Sequence, residues 1–204
     1  MLNPDLEICR LLDVMPASGR MLTKIISKPE QRAVIDAPFP LPWAGDRPIY
    51  INFDLWSRFS RSQRDLLILR TVGWLVSVKW FQPNLSLGLA AAGIAGLGFE
   101  FVHQDIVGIA ATSALGAVAL TQIWRNNRSS RIELEADEKA LQVAQRRGYT
   151  ETEAAGYLLS AIESVAQNEG RALTFNELLR CQALRTIANL SPISVPNVAR
   201  PDDR

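Results

Sequence analysis

Residues 131–149 read RIELEADEKALQVAQRRGY, which places Glu133, Glu135, Asp137 and Glu138 in close succession. On a helix, Glu133 and Asp137 stand one turn apart and share a face. Two carboxylates so placed can form half of a metal site. They can equally do no more than favour the positive end of a helix macrodipole, the role expected of Glu135 and Glu138. A zinc site needs imidazole or thiolate partners, and the chain offers a single histidine, His103, and two cysteines, Cys9 and Cys181, near opposite ends. An all-carboxylate set of Glu133, Asp137 and Glu163 would instead suit magnesium or manganese.

The elements around these residues are legible from caps and periodicity. Asn3, with Pro4 behind it and Asp5 and Glu7 in the first turn, predicts a short amphipathic N-terminal helix. PIYINFD (48–54) alternates apolar and polar residues and predicts a strand, with RAVIDA (32–37) as a weaker pairing partner. The Pro- and Gly-rich stretch 37–48 predicts an irregular loop. Ser60 caps a helix beginning RSQRDLLILRTVGWLVSVKW, with Leu66, Leu67, Leu69, Val72, Gly73 and Leu75 on a core face and Arg61 and Arg64 on a solvated one. The stretch at 131–149 closes at Gly148, in the position of a C-terminal cap. Thr150/Glu153 and Thr174/Glu177 form capping boxes that open two further helices. The tail from Ser191, with Pro192, Pro196 and Pro201, predicts no regular structure.

Between Lys79 and Arg125 there is no Lys or Arg. This gap holds two apolar runs, 84–102 and 105–124, each close to the roughly 17–25 residues that cross a bilayer as a helix. The flanks are basic (Lys79; Arg125, Arg128, Arg131), and the tip carries Glu100, His103 and Asp105. By the positive-inside rule both termini face the cytoplasm. Trp80, Phe81 and Trp124 suit an interfacial belt, and small residues at Ala92/Gly96 and Gly108/Thr112/Gly116 would let helix backbones approach closely. The alternatives are a hairpin buried in a globular core and a shallow re-entrant one. The N-terminus has no basic leader with an apolar run, so no secretory signal is expected. Net charge is +1, which argues for neither nucleic acid nor an acidic partner.

The order strand, helix, apolar hairpin and E-A-D helix resembles the membrane-bound zinc metallopeptidases of the HtpX and CAAX prenyl-protease type. The resemblance spans roughly residues 47–165 and is carried by IYINFDLWSRFSRSQRDL (49–66) and by the E-A-D-x-x-A-L-x-V-A-x-R-x-G-Y pattern at 135–149. The whole chain also resembles a cyanobacterial membrane-protein family of unknown function. The metallopeptidase resemblance implies that Glu133 stands where the zinc-binding glutamate would be and Asp137 where a supporting aspartate would be. The His-Glu-x-x-His segment falls on Arg70, Thr71, Val72, Gly73 and Trp74. Both histidines and the general base are therefore missing. A guanidinium cannot ligate a metal and would repel one, and an indole has no lone pair to give. The expectation is a metal-free ion pair from Arg70 to Glu133.

The fold class expected is mainly α with a small β element (α+β): a peptidase-like helical domain interrupted by a transmembrane hairpin. Its parts are an N-terminal cytoplasmic part (1–83), the hairpin (84–124), C-terminal cytoplasmic helices (125–190) and the tail (191–204). The function expected is a membrane-anchored, catalytically inactive scaffold or assembly factor without a cofactor. The alternatives are a structural subunit of a larger membrane complex and a carboxylate-metal hydrolase. Its partners would be the bilayer, of plasma or thylakoid membrane, and other membrane proteins reached through the small-residue hairpin. No nucleic acid is expected, and the ridge of Arg58, Arg61 and Arg64 would meet anionic headgroups. The strand at 48–54 would be a free edge open to strand addition. The aromatics Phe39, Trp43, Tyr50 and Trp56 around it would either offer partner-binding pockets or serve as ordinary packing.

Overall fold

In the computed structural model, which describes residues 2–40, 45–78 and 130–190, the chain begins with α1 (Pro4–Val14). The Asn3 side chain accepts from the Asp5 and Leu6 amides and caps this helix. A second helix, α2 (Ala17–Leu22), leads directly into β1 (Thr23–Ser27). Two further strands follow, β2 (Ile35–Asp36) and β3 (Arg47–Ile51). The sheet order is β1-β3-β2, with β1 parallel and β2 antiparallel to β3. The expected pairing of 32–37 with 48–54 is present, as Ile35 opposite Ile51 and Asp36 opposite Tyr50.

Two expectations about this strand are corrected. It is central, so the edges of this sheet belong to β1 and β2. It also stops at Ile51, because the Asn52 side chain accepts from the Asp54 and Leu55 amides and starts the short helix α3 (Phe53–Trp56). A side chain that satisfies the first free amides of a helix takes those residues out of a strand ladder.

Ser60 and Gln63 form a capping box that opens α4 (Arg61–Ser77). Its core face is wider than a single stripe, since Ile68, Thr71 and Trp74 are buried along with Leu66, Leu67, Leu69, Val72 and Leu75. It is the central helix, covered on several sides. Three helices follow: α5 (Ser130–Gln145), α6 (Glu151–Asn168) and α7 (Phe175–Ile187). Both capping boxes form as read, at Thr150/Glu153 and Thr174/Glu177. Gly148 takes φ +96° beyond the end of α5, a conformation open to glycine at no steric cost.

Helices α4 and α5 meet along an alanine-rich seam of Ala136, Ala140 and Ala144, all fully buried. Gly73 lets the backbones touch there: a Cβ at this position would lie 3.1 Å from the Ala136 carbonyl oxygen. At the other end of the seam, the Tyr149 hydroxyl donates to Asp65. Contacts that pair 65 with 149 and 73 with 136 make the two helices antiparallel. Val78, where the chain leaves α4, and Ser130, where α5 starts, therefore lie at the same end of the molecule.

The fold is helical with a small three-stranded sheet. Among the described residues no helix is long and apolar enough to cross a membrane. The apolar runs 84–102 and 105–124, with Glu100, His103, Trp80, Phe81 and Trp124, lie outside the described residues, as do Trp43 and the tail from Ser191.

Candidate functional site

Arg70, on α4, meets the first two turns of α5. Its guanidinium pairs with Glu133, and its Nε lies 3.7 Å from Asp137 Oδ1. The ion pair expected from the sequence is present. The second carboxylate has a different principal partner, which sequence reading missed. Arg180, on α7, donates to both Asp137 oxygens, from Nε and from Nη2, each at 2.7 Å. Both groups are buried: the Asp137 side chain is 5% exposed and that of Arg180 8%. A forked, charge-assisted pair of this kind is the strongest hydrogen-bonded arrangement that side chains offer. The charges alternate along the cluster, Glu133, Arg70, Asp137, Arg180, and tie three helices together. Burial draws the Arg70 guanidinium down to about 9, and the like charge of Arg180 adds to that while Asp137 and Glu177 oppose it. Arg70 remains charged at neutral pH.

The signal for Arg180 was present in the sequence. It stands four residues before Leu184, which is 1% exposed, and eight before Ala188, so it shares the core stripe of α7. An arginine on an apolar stripe needs a carboxylate.

The remaining segment positions cannot make a metal site. The Thr71 hydroxyl donates to the Leu67 carbonyl at 2.8 Å and is committed to its own helix. The Trp74 ring is buried and stacks edge-on against Phe39, with centroids 6.2 Å apart. Val72 packs into the core, and Gly73 serves the helix contact. Arg70, Thr71 and Trp74 thus offer one cation, one committed hydroxyl and one indole, and zinc does not fit them. The alternative carboxylate trio is also corrected. Glu163, on α6, pairs with Arg185 at 2.9 Å, while Glu133 and Asp137 are taken by Arg70 and Arg180. Among the described residues no three potential metal ligands gather.

A cavity of about 310 Å³ opens beside this cluster, between the outer strand β2 and the α4–α5 pair, lined by Asp36, Phe39, Arg70, Trp74 and Glu133 among others. Of the aromatics expected to form a partner surface, Phe39 lines this cavity and Trp43 lies outside the described residues. Trp56 is fully buried and donates its indole N–H to Glu7 at 3.3 Å, so it is core and offers no partner surface. Tyr50 is half-buried beneath the Lys28 ammonium, 4.9 Å from its ring centroid.

A second polar network, also unforeseen, closes the opposite end. Glu7 is buried and accepts from Arg10, Arg64 and Trp56. Arg10 also reaches Asp65, which in turn accepts from Tyr149. Burial alone would raise the Glu7 carboxyl, but the hydrogen bonds and charge of Arg10, with help from Arg64 and Trp56, hold it below its usual range. Arg64 is thus an internal partner rather than a solvated residue, and the supposed basic ridge of Arg58, Arg61 and Arg64 is broken. It also lies at the start of α4, the end remote from Val78 and Ser130. A 17-residue helix separates the two ends by about 25 Å.

The chain matches the family described as "Protein of unknown function (DUF3318)" over residues 9–149. It is also similar to "Thylakoid membrane protein slr1949" of Synechocystis sp. (strain PCC 6803), at 33% identity over 152 residues, covering 71% of each chain. No solved structure matches it. The match runs from within α1 to Tyr149 and takes in both ionic networks except Glu7 and Arg180; the chain belongs to the DUF3318 family.

Proposed function

We propose that the protein is a membrane-anchored, non-catalytic binding or assembly factor for membrane proteins, built on a peptidase-like helical core. The observation that supports this is the pairing of Arg70 with Glu133 and Asp137. An arginine stands where the first metal-binding histidine would have to be, and the two carboxylates that a metal would need are already matched by Arg70 and Arg180. Hydrolysis by a metal-activated water requires an open coordination position and a base to take the proton. Thr71 and Trp74 supply neither.

Membrane attachment would come through the apolar hairpin at 84–124, with both termini on the cytoplasmic face. The thylakoid location carried in the name of the similar Synechocystis protein favours the thylakoid membrane. The shared end of Val78 and Ser130 suits a hairpin, since both flanks must enter the bilayer from one side. Partner segments would be received at the outer strands β1 or β2, by strand addition.

Purification of the full chain in mild detergent tests the reading. A metal-poor protein that recovers membrane-protein partners supports it. One stoichiometric complex would favour a structural subunit, and a spread of transient clients would favour an adaptor. Tightly held zinc together with peptide cleavage that Glu133→Gln abolishes would refute it.

A further inference from the structure

We propose that Phe175, Leu178 and Leu134 form an apolar ridge that inserts into the headgroup layer of the bilayer carrying the hairpin, so that the helical core rests on the membrane through α7 as well as hanging from it. This rests on the membrane-anchored reading above. Phe175 is 72% exposed, Leu178 49% and Leu134 37%. The first two stand three residues apart in the opening turn of α7 and share a face.

Their place in the molecule decides what covers them. The Ser130 hydroxyl donates to the Asn176 side-chain oxygen at 2.8 Å, so the opening turn of α7 sits against the first residue of α5. Leu134 lies one turn further along α5, on the same face as Ser130. Ser130 is where the chain returns from the stretch that has no Lys or Arg between Lys79 and Arg125, and Val78 is at this same end. The ridge is therefore next to the point from which the apolar segment departs.

The acidic side chains next to the ridge, Glu135 and Glu177, are paired with Lys139 and Arg171, and the cations at this end fit a headgroup layer. Arg131 is exposed beside Ser130, and Arg125 and Arg128 precede it in sequence; cations flanking an apolar face suit anionic lipid. The most exposed apolar side chains elsewhere, Leu6 on α1 and Met21 on α2, belong to separate helices, and Leu190 and Ile187, 49% and 36% exposed, lie at the far end of α7. The first turn of α7 has no need of Phe175 to form, because the Thr174/Glu177 box already caps it.

The test uses the full chain with Cys9→Ser, which removes the exposed thiol. Cys181 is buried and takes no label. A cysteine introduced as Phe175→Cys, or separately as Leu178→Cys, carries an environment-sensitive fluorophore. The protein is reconstituted into phosphatidylcholine/phosphatidylglycerol vesicles containing lipids with a nitroxide just below the headgroup. The control is Glu151→Cys, at the start of α6 next to the Tyr149–Asp65 end. We expect lipid quenching at 175 and 178 at least about twofold stronger than at 151. Equal quenching at all three sites, in protein that resists alkaline extraction from the vesicles, would overturn the ridge while leaving the anchor intact. Shielding of 175 from aqueous iodide without lipid quenching would also overturn it, by showing that a second copy or another protein covers the face. Release of the protein by alkaline extraction would remove the anchor reading itself, and the ridge with it.

Discussion

Arg70 and Arg180 make similar contacts, but their loss should not cost the same. Asp137 and Arg180 are both almost fully buried, so Asp137→Asn strands a guanidinium in the core and should cost about 3–5 kcal/mol. Replacing both, as Asp137→Leu with Arg180→Met, should recover much of that, because neither charge is then left unpaired. Arg70 and Glu133 are each 20% exposed, less deeply buried than Asp137 and Arg180, so the loss of either should cost less. A double-mutant cycle on Arg70→Met and Glu133→Gln, followed by chemical unfolding, should give a coupling of about 1 kcal/mol; zero coupling would remove the pair from the account of the fold. A third carboxylate gives a pH signature. Burial would raise the Glu177 carboxyl, but Arg171 and the Thr174 cap hold it down at about 2. A depressed carboxylate contributes stability above its unfolded value and loses it as the pH falls towards the folded one. Glu177→Gln should therefore cost about 2 kcal/mol at neutral pH. The gap to the parent, read from thermal unfolding, should narrow as the pH drops from about 5 towards about 3.

At the scale of elements, the α4–α5 contact depends on one missing side chain. Gly73→Ala places a Cβ 3.1 Å from a backbone oxygen that cannot swing away. It also removes the roughly 1 kcal/mol that glycine costs inside a helix. The two effects oppose, so unfolding midpoints for Gly73→Ala should fall within about 1 kcal/mol of the parent. Gly73→Leu has no such compensation, since the whole side chain must fit where α5 runs. It should destabilise by more than about 2 kcal/mol. A Leu variant as stable as the parent would mean that the helices are not in contact at this point. The same glycine would have been the fourth residue of a metal-binding segment under the peptidase resemblance, and here it has a packing reason of its own.

For the whole molecule, the position of Val78 beside the end of α5 that begins at Ser130 separates the roles of the two halves of the chain. Among the described residues the core runs through α1, the sheet, α4, α5, α6 and α7, with buried residues from each. Exchanging 79–129 for a short Gly/Ser linker should give a chain that still melts cooperatively, with helical far-ultraviolet circular dichroism. A broad, non-cooperative transition would show that the core needs the apolar segment. The linker variant should also lose its attachment to vesicles, which the substitutions in the ionic cluster should not affect.

What the sequence determined by itself is local. The Asn3 and Ser60 caps, the two capping boxes at Thr150/Glu153 and Thr174/Glu177, the glycine stop at Gly148 and the pairing of 32–37 with 48–54 all follow from residues within a few positions of one another, or from period-two alternation. The Arg70–Glu133 pair was legible only because a resemblance set the two residues in one site; spacing alone could not have joined α4 to α5. Tertiary structure decided the rest. Asp137 finds its partner 43 positions away, and Glu7 gathers Arg64 and Trp56 from α4 and α3. β1 joins the sheet by a parallel pairing that no hairpin turn announces. A charge can carry a local mark of burial, as Arg180 does on the apolar stripe of α7, but none of its partner, because what joins the two is the crossing of helices far apart in the chain, and a side chain that looks solvated on its own helix becomes internal once another helix lies across it.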